Sequence, residues 1–289
     1  LQFFSQSPHL NQIARYYREC NNAYRDAWGL DKNMQLNLGL WKSGCRSLSE
    51  ALKNLNQEVA EKAIIKSGDR ILDAGCGVGG TAIFLAQNYG CRIKGITLSA
   101  EQVEQARKNA RKHQVDHLCD FEVMDYNHTT FEKGSFDVIL GIESICYAES
   151  KFNFLKEVKR LLKKGGRLVL AENVQAKPNL SAKEHQSLYE KAFFGCQVKS
   201  LDTAQEYEEK LSQLQFKRIR CEDYTDLIRP SISRLRRIYY PAKLYNLVHR
   251  WMGKPFSEVQ EANTRMCFHL QSSLNSGLWK YAIISATYE

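Results

Sequence analysis

The chain has 289 residues, 43% of them apolar and 25% charged, with a net charge of +9. That suits one large globular core with an appended cap, and its longest apolar runs, such as "YAIISA", are far too short to span a bilayer. The nine cysteines form no CxxC pair and no HExxH is present, so no metal site is expected, and the loosely spaced thiols point to a reduced, cytoplasmic setting.

The first residues, "LQFFSQSPHLNQ", lack the basic start and long apolar run of a signal peptide. Residues 1–66 read as a helical, aromatic-rich lid. Its helices are "IARYYRECNNAYRDAW" and "SLSEALKNLNQEVAEKA", the second starting at Ser49 and repeating Ala51, Leu52, Leu55, Val59 and Ala63 at helical spacing. From residue 67 strands and helices alternate. "RILDA" is a strand closed by glycines, and "TAIFLAQNYG" is a helix stopped by Gly90. "CRIKGITL" is a strand, and "SAEQVEQARKNARKH" is a helix capped by Ser99. "CDFEVMD" and "FDVILGIE" are strands, "KFNFLKEVKRLLKKGG" is a helix ending at Gly165 and Gly166, and "RLVLAENV" is the fifth strand. Such alternation implies a parallel sheet covered on both faces.

The last third carries two further strands, "FKRIRCEDY" and "WKYAIISATYE", expected to complete the sheet. Helical stretches at about 176–214 and 227–277 would form a cap with the N-terminal lid. One of them, "SISRLRRIYYPAKLYNLVHRWMG", is basic and aromatic and is interrupted by Pro241.

"ILDAGCGVGGTA" joins the first strand to the first helix of the sheet. Gly75, Gly77 and Gly79 let backbone approach a ligand at a helix N-terminus. Gly75-x-Gly77-x-x-Gly80 also fits the dinucleotide fingerprint. Asp73 speaks against that ligand, because a carboxylate at the strand end repels a pyrophosphate but receives a cationic amino group. The second strand ends "GITLS", with no acid for a nicotinamide nucleotide's ribose.

In order and spacing, "LDAGCGVGG", "GITLSAEQ", "MDY" and "LLKKGGRLVLAE" resemble the class I S-adenosylmethionine (SAM)-dependent methyltransferases from Ile71 to Glu172. The resemblance implies an α/β, Rossmann-like fold with a seven-stranded, mostly parallel sheet, its last strand reversed. It implies that Asp73, Gly75 and Gly77 line the methionine end of SAM and that Thr97, Leu98 and Gln102 hold the ribose. Asp125 and Tyr126 would flank the adenine, and Ile142 would complete the cofactor wall. Thr97 departs from the acid that many members carry there, a variant similar to the lipid- and isoprenoid-directed branch.

Ile142-Glu143-Ser144-Ile145 lacks the [N/D]PP[Y/F] motif of amide- and amine-directed nucleic acid and protein enzymes, so no nucleic acid partner is expected. Cys146 and Tyr147 stand where cyclopropane-forming enzymes carry Glu-His, which argues against cyclopropanation. "IES-x-CYA" resembles sterol side-chain and prenyl-diphosphate C-methyltransferases. That likeness implies C-methylation of an isoprenoid or related lipid through a carbocation, with Glu143 and Tyr147 as catalytic residues. A carboxylate stabilises such a cation and accepts its proton, and aromatic faces add cation–π attraction. Tyr16, Tyr17, Tyr24, Trp28 and Trp41 are the candidate lid and substrate residues.

The alternatives are N- or O-methylation of a small amine or hydroxylated metabolite, or a non-catalytic RNA- or membrane-binding protein. The second rests on Arg229, Arg234, Arg236, Arg237, Lys243 and Arg250 among Tyr239, Tyr240, Tyr245 and Trp251. The bland reading of that segment is a solvated cap helix, and a middle one pairs its arginines with a substrate diphosphate, with Mg²⁺ called for only then. A small-molecule or lipid-like substrate and peripheral membrane contact are the expected partners.

Overall fold

The computed structural model describes residues 8–289, so the expectation for the first seven lies outside the described residues. The chain opens with α1 (Pro8–Ala23), a wide π-type turn (Tyr24–Trp28) and the short α2 (Leu30–Asn33). A strap, residues 34–47, leads into α3 (Leu48–Lys62). The cap of α3 is Ser47, whose hydroxyl accepts from the Glu50 amide, and the helix starts at Leu48, one residue before the expected start at Ser49.

The sheet and its covering helices follow: β1 (Arg70–Ala74), α4 (Gly80–Tyr89), β2 (Arg92–Thr97), α5 (Ala100–Lys112), β3 (Cys119–Val123), β4 (Phe136–Ile142), α6 (Lys151–Leu161) and β5 (Leu162–Gln175). The remainder is α7 (Ala182–His185), running into a π-type helix (Gln186–Ala192), then α8 (Ala204–Gln213), β6 (Lys217–Asp223), α9 (Thr225–Trp251), α10 (Glu258–Asn275) and β7 (Trp279–Tyr288). The seven strands lie in the order β3-β2-β1-β4-β5-β7-β6. β7 runs antiparallel to β5 and β6, while the rest pair in parallel. The two terminal strands of the sequence reading thus complete the sheet, and the last is reversed as the resemblance implies.

Ser99 caps α5 as expected, accepting from the Gln102 amide. Three boundaries differ from the sequence reading. α6 stops at Leu161, and Leu162 is already extended. Gly165, at φ 76°, belongs to an irregular start of β5 rather than to a helix cap. α9 passes through Pro230 and Pro241 without ending. A helical proline removes one hydrogen bond, and the rest of this 27-residue helix tolerates the loss. α10 was legible only as part of the cap; Ser257 and Gln260 give it a reciprocal capping box.

Both faces of the sheet are buried. One packs Ile71, Val138, Leu140, Val169 and Ile283 beneath α3, α4 and the cap. The other packs Leu72, Ile139, Leu168 and Ile284 with Phe154, Leu155 and Tyr207. With both faces covered, the strands read as continuous apolar runs.

Candidate active site

At the carboxyl ends of β1, β2 and β4 the chain must turn away from the sheet, and the cavity opens there, as open parallel sheets dictate. Gly75 and Gly77 take φ of 94° and 52°. The amides of Gly75 and Cys76 both donate to the Ile96 carbonyl, at 2.9 and 3.0 Å. A side chain at Gly75 would place its Cβ 2.3 Å from that of Ser144, whereas one at Gly77 would point into open space. One glycine lets the β4 turn approach the loop, and the other leaves room for a ligand. The N-terminal strap closes over the loop, with the Gly80 amide donating to the Met34 carbonyl at 3.1 Å.

Asp73, 3% exposed at the end of β1, lines the cavity, and its Oδ2 has no hydrogen-bond partner. Burial pushes its carboxyl up to about 7. Thr97, Leu98 and Gln102 line the cavity together. Thr97 Oγ1 donates to Gln102 Oε1 at 2.6 Å, which turns the amide into a fixed donor. Tyr126 and Ile142 also reach the wall. The Tyr126 hydroxyl donates to the Ser144 carbonyl at 2.9 Å, and its ring meets Phe154 edge-on. Asp125 does not reach the wall. Its Oδ1 accepts from the backbone and side-chain nitrogens of Asn127, and Oδ2 lies 3.3 Å from the His128 ring.

The turn after β4 is the most constrained part of the site. Glu143 sits at φ 49°, with its amide donating to the Ala171 carbonyl. Its Oε1 accepts from the Leu38 amide at 2.6 Å and the Tyr281 hydroxyl at 3.0 Å. Burial pushes this carboxyl up to about 8, outweighing those two hydrogen bonds; nearby Glu172 adds to the rise. Ser144 ties the turn to β1 by donating to the Ala74 carbonyl at 2.6 Å.

Sequence reasoning missed the two residues that build this turn. Glu172, fully buried on β5, accepts from the amides of Ser144, Ile145 and Cys146 at 2.9, 2.7 and 3.3 Å. Burial still pushes it up to about 7. Lys151, 5% exposed on α6, donates to the carbonyls of Cys146, Ala148 and Ser200. An acid closing the apolar run "RLVLAE" was the available signal for the first. Only the fold shows the second.

Tyr16, Tyr17, Tyr24, Trp28 and Tyr147 line the cavity on the cap side. Tyr17 meets Tyr147 edge-on at 6.0 Å and donates to its hydroxyl at 3.2 Å. The Tyr16 and Tyr24 hydroxyls pair with each other and share the Asn263 amide from α10. Trp41 does not join them. Its indole donates to Ser231 Oγ at 2.9 Å, bracing the strap against α9 outside the cavity. An indole N–H needs one acceptor when buried, and Ser231 supplies it away from any ligand.

Among the described residues, five buried polar atoms without partners belong to the cavity lining: Asp73 Oδ2, Trp28 Nε1, Gln35 Oε1, Asn37 Nδ2 and Asn173 Oδ1. Orphaned buried groups are rare in folded proteins and call for a ligand or water. Donors and acceptors beside a carboxylate and an open glycine fit SAM, which offers an ammonium, a carboxylate, ribose hydroxyls and a sulfonium. Among the described residues the cavity wall contains no Lys, Arg or His.

The family model for mycolic acid cyclopropane synthetase matches residues 4–227. The (+)-O-methylkolavelool synthase of Herpetosiphon aurantiacus is 30% identical over 229 residues, 78% of each chain. The sarcosine/dimethylglycine N-methyltransferase of Halorhodospira halochloris is 24% identical over 230 residues, 78% of this chain and 80% of the relative. In fold, the chain is similar to geranyl diphosphate C-methyltransferase from Streptomyces coelicolor A3(2), solved with Mg²⁺, geranyl diphosphate and S-adenosyl-L-homocysteine. That structure superposes at TM-score 0.70 with 19% identity, over 98% of this chain and 99% of the other. With the glycine loop, the orphaned Asp73 and the 3-2-1-4-5-7-6 sheet, the match over most of the chain places this protein in the mycolic acid cyclopropane synthetase family of SAM-dependent methyltransferases.

Proposed function

We propose that this enzyme methylates a carbon of an uncharged isoprenoid or related lipid. The observation that carries the reading is Glu143, fixed by Leu38 and Tyr281 on the wall of an aromatic chamber that holds no cationic side chain among the described residues. SAM, when bound, supplies an electrophilic methyl group. The acceptor's π electrons form the new C–C bond as the S–CH₃ bond breaks, leaving a tertiary cation on the acceptor. Glu143 stabilises that cation as an anion and is placed to take the proton whose loss restores an alkene. Tyr17 and Tyr147 offer ring faces to the same charge. In this reading Asp73, Gly75 and Gly77 hold the methionine end of SAM, Thr97 and Gln102 the ribose, and Leu98, Tyr126 and Ile142 the adenine side.

An uncharged acceptor is favoured because, among the described residues, no Lys or Arg lines the chamber to neutralise a diphosphate. Four arginines of the basic segment are engaged elsewhere, and the fifth, Arg237, is exposed and does not line the chamber. Arg229 pairs with Asp226, Arg234 donates to the Ala27 carbonyl, Arg236 lies over Phe268 and Arg250 pairs with Glu261. Oxygen transfer is the second reading, supported by the relative named for an O-methylated product. There Glu143, pushed up to about 8, would take the hydroxyl proton as a base.

The test is product NMR after incubation with [methyl-¹³C]SAM and a set of sterol-like lipids, prenyl alcohols, prenyl diphosphates and small amines. A new carbon-bound methyl on an uncharged lipid is expected, with no gain from Mg²⁺. Label found only on oxygen or nitrogen, or only with a diphosphate and Mg²⁺, overturns the proposal.

A further inference from the structure

The second half of α9 carries an apolar stripe that no other described element covers, Tyr240 touching only its neighbour Tyr239. Tyr240, Leu244, Leu247, Val248 and Trp251 recur at helical spacing, and Leu244, Leu247 and Trp251 are 63%, 61% and 88% exposed. Spacing of four, seven, eight and eleven residues from the first places them on one side of the helix. Single exposed apolar residues are ordinary, but a contiguous stripe marks an interaction site. The other aromatics of this region are accounted for within the fold. Tyr239 packs on Phe268, and Tyr245 stacks with His249 and Phe256.

The flanks of the stripe are basic. Arg237, Lys243 and Lys254 are exposed, and no salt bridge to a described carboxylate involves them, whereas Arg250 is paired with Glu261. The chain as a whole carries +9. Two copies meeting through this stripe would bring like charges together. A nucleic acid would match the charge but leave Leu244, Leu247 and Val248 with nothing to bury against. An anionic bilayer satisfies both: apolar side chains and a tryptophan enter the headgroup boundary while lysine and arginine meet lipid phosphates.

We propose that the C-terminal half of α9 docks the enzyme on anionic membrane surfaces. The same helix lines the acceptor chamber with Ile232 and Leu235 near its other end. Its 27 residues span about 40 Å, so one helix links the docking stripe to the chamber. A lipid-soluble acceptor would then be taken up where it is concentrated. The docking proposal stands whichever atom is methylated.

The test is sedimentation of the full chain with vesicles of neutral phosphatidylcholine and of phosphatidylcholine doped with phosphatidylglycerol, at low and high salt. Binding should favour the anionic vesicles and weaken with salt. Replacing the stripe (Leu244→Ser, Leu247→Ser, Trp251→Ser) should weaken it at least about tenfold. Replacing the flank (Arg237→Gln, Lys243→Gln, Lys254→Gln) should remove the preference for anionic lipid. SAM affinity and melting temperature of both variants should match wild type. Equal binding to both vesicle types, unchanged binding by the stripe variant, tighter binding to RNA than to vesicles, or a dimer that the stripe variant dissolves would each overturn the proposal.

Discussion

Replacing Glu143 by glutamine isolates its charge from its scaffolding. Both hydrogen bonds to this side chain fall on Oε1, one from the Leu38 amide and one from the Tyr281 hydroxyl. A glutamine carbonyl can accept both, so the strap and β7 keep their anchor. What is lost is a negative charge beside the acceptor. Two unit charges about 4 Å apart at an effective dielectric of about 20 attract by about 4 kcal/mol. That corresponds to a turnover loss of about a thousandfold. In the free enzyme this carboxyl is pushed up to about 8 by burial; a cation in the chamber pulls it back down and restores the anion.

Alanine at the same position removes the acceptor as well. The Leu38 amide and Tyr281 hydroxyl then lose their partner at about 1–3 kcal/mol each, lowering the melting temperature by several degrees for a domain of this size, at about 2–4 °C per kcal/mol. The assay is single-turnover methyl transfer with identified acceptor, beside SAM titration and thermal melting of Glu143→Gln and Glu143→Ala. The expected pattern is a catalytically crippled, normally stable glutamine variant that binds SAM like wild type. Near-normal turnover in Glu143→Gln with loss only in Glu143→Ala would refute the electrostatic role and leave Glu143 as an anchor of the strap.

Two more outcomes follow from the geometry. Asp73 is pushed up to about 7 in the free enzyme, so below that pH it is mostly protonated, while a cationic ligand selects its anion. SAM affinity should therefore rise with pH through about 7 and level off above it. Calorimetry in buffers of different ionisation heat should show protons released on SAM binding at pH ~6, from Asp73 and from any share that Glu143 gives up, and Asp73→Asn should lower that release by about one proton. Gly75→Ala should cut SAM affinity by more than about tenfold and lower stability. Its left-handed backbone costs roughly 1–2 kcal/mol in an L-residue, and the new Cβ would lie 2.3 Å from Ser144 Cβ. Wild-type melting and binding in this variant would show that the β4 turn does not pack on the loop this closely.

Legibility along the chain depended on how local the signal was. Gly75 and Gly77 announced a ligand loop because positive φ is a property of the residue itself. Ser99 announced its helix because capping is a bond between near neighbours. Gly165 misled, since a glycine after a basic helix end suits a cap equally well as a bulge. Asp125 and Trp41 were named as ligand-facing and stand outside the cavity wall, because each found a partner of its own, Asn127 and Ser231. Sequence type alone does not say which of two available partners a polar group takes.

Order and spacing of short motifs determined the cofactor, the sheet and the position of Glu143 at a strand end, since strand, loop and helix follow one another within a few residues. Tertiary structure alone decided what that acid touches. Leu38 lies 105 residues before Glu143 and Tyr281 lies 138 after it, and the turn they flank rests on Glu172 and Lys151 from two other elements. It also decided that the basic helix leaves its arginines outside the chamber and Leu244 and Leu247 in solvent. Contacts of that range are selected by which faces the folded sheet and cap bury together.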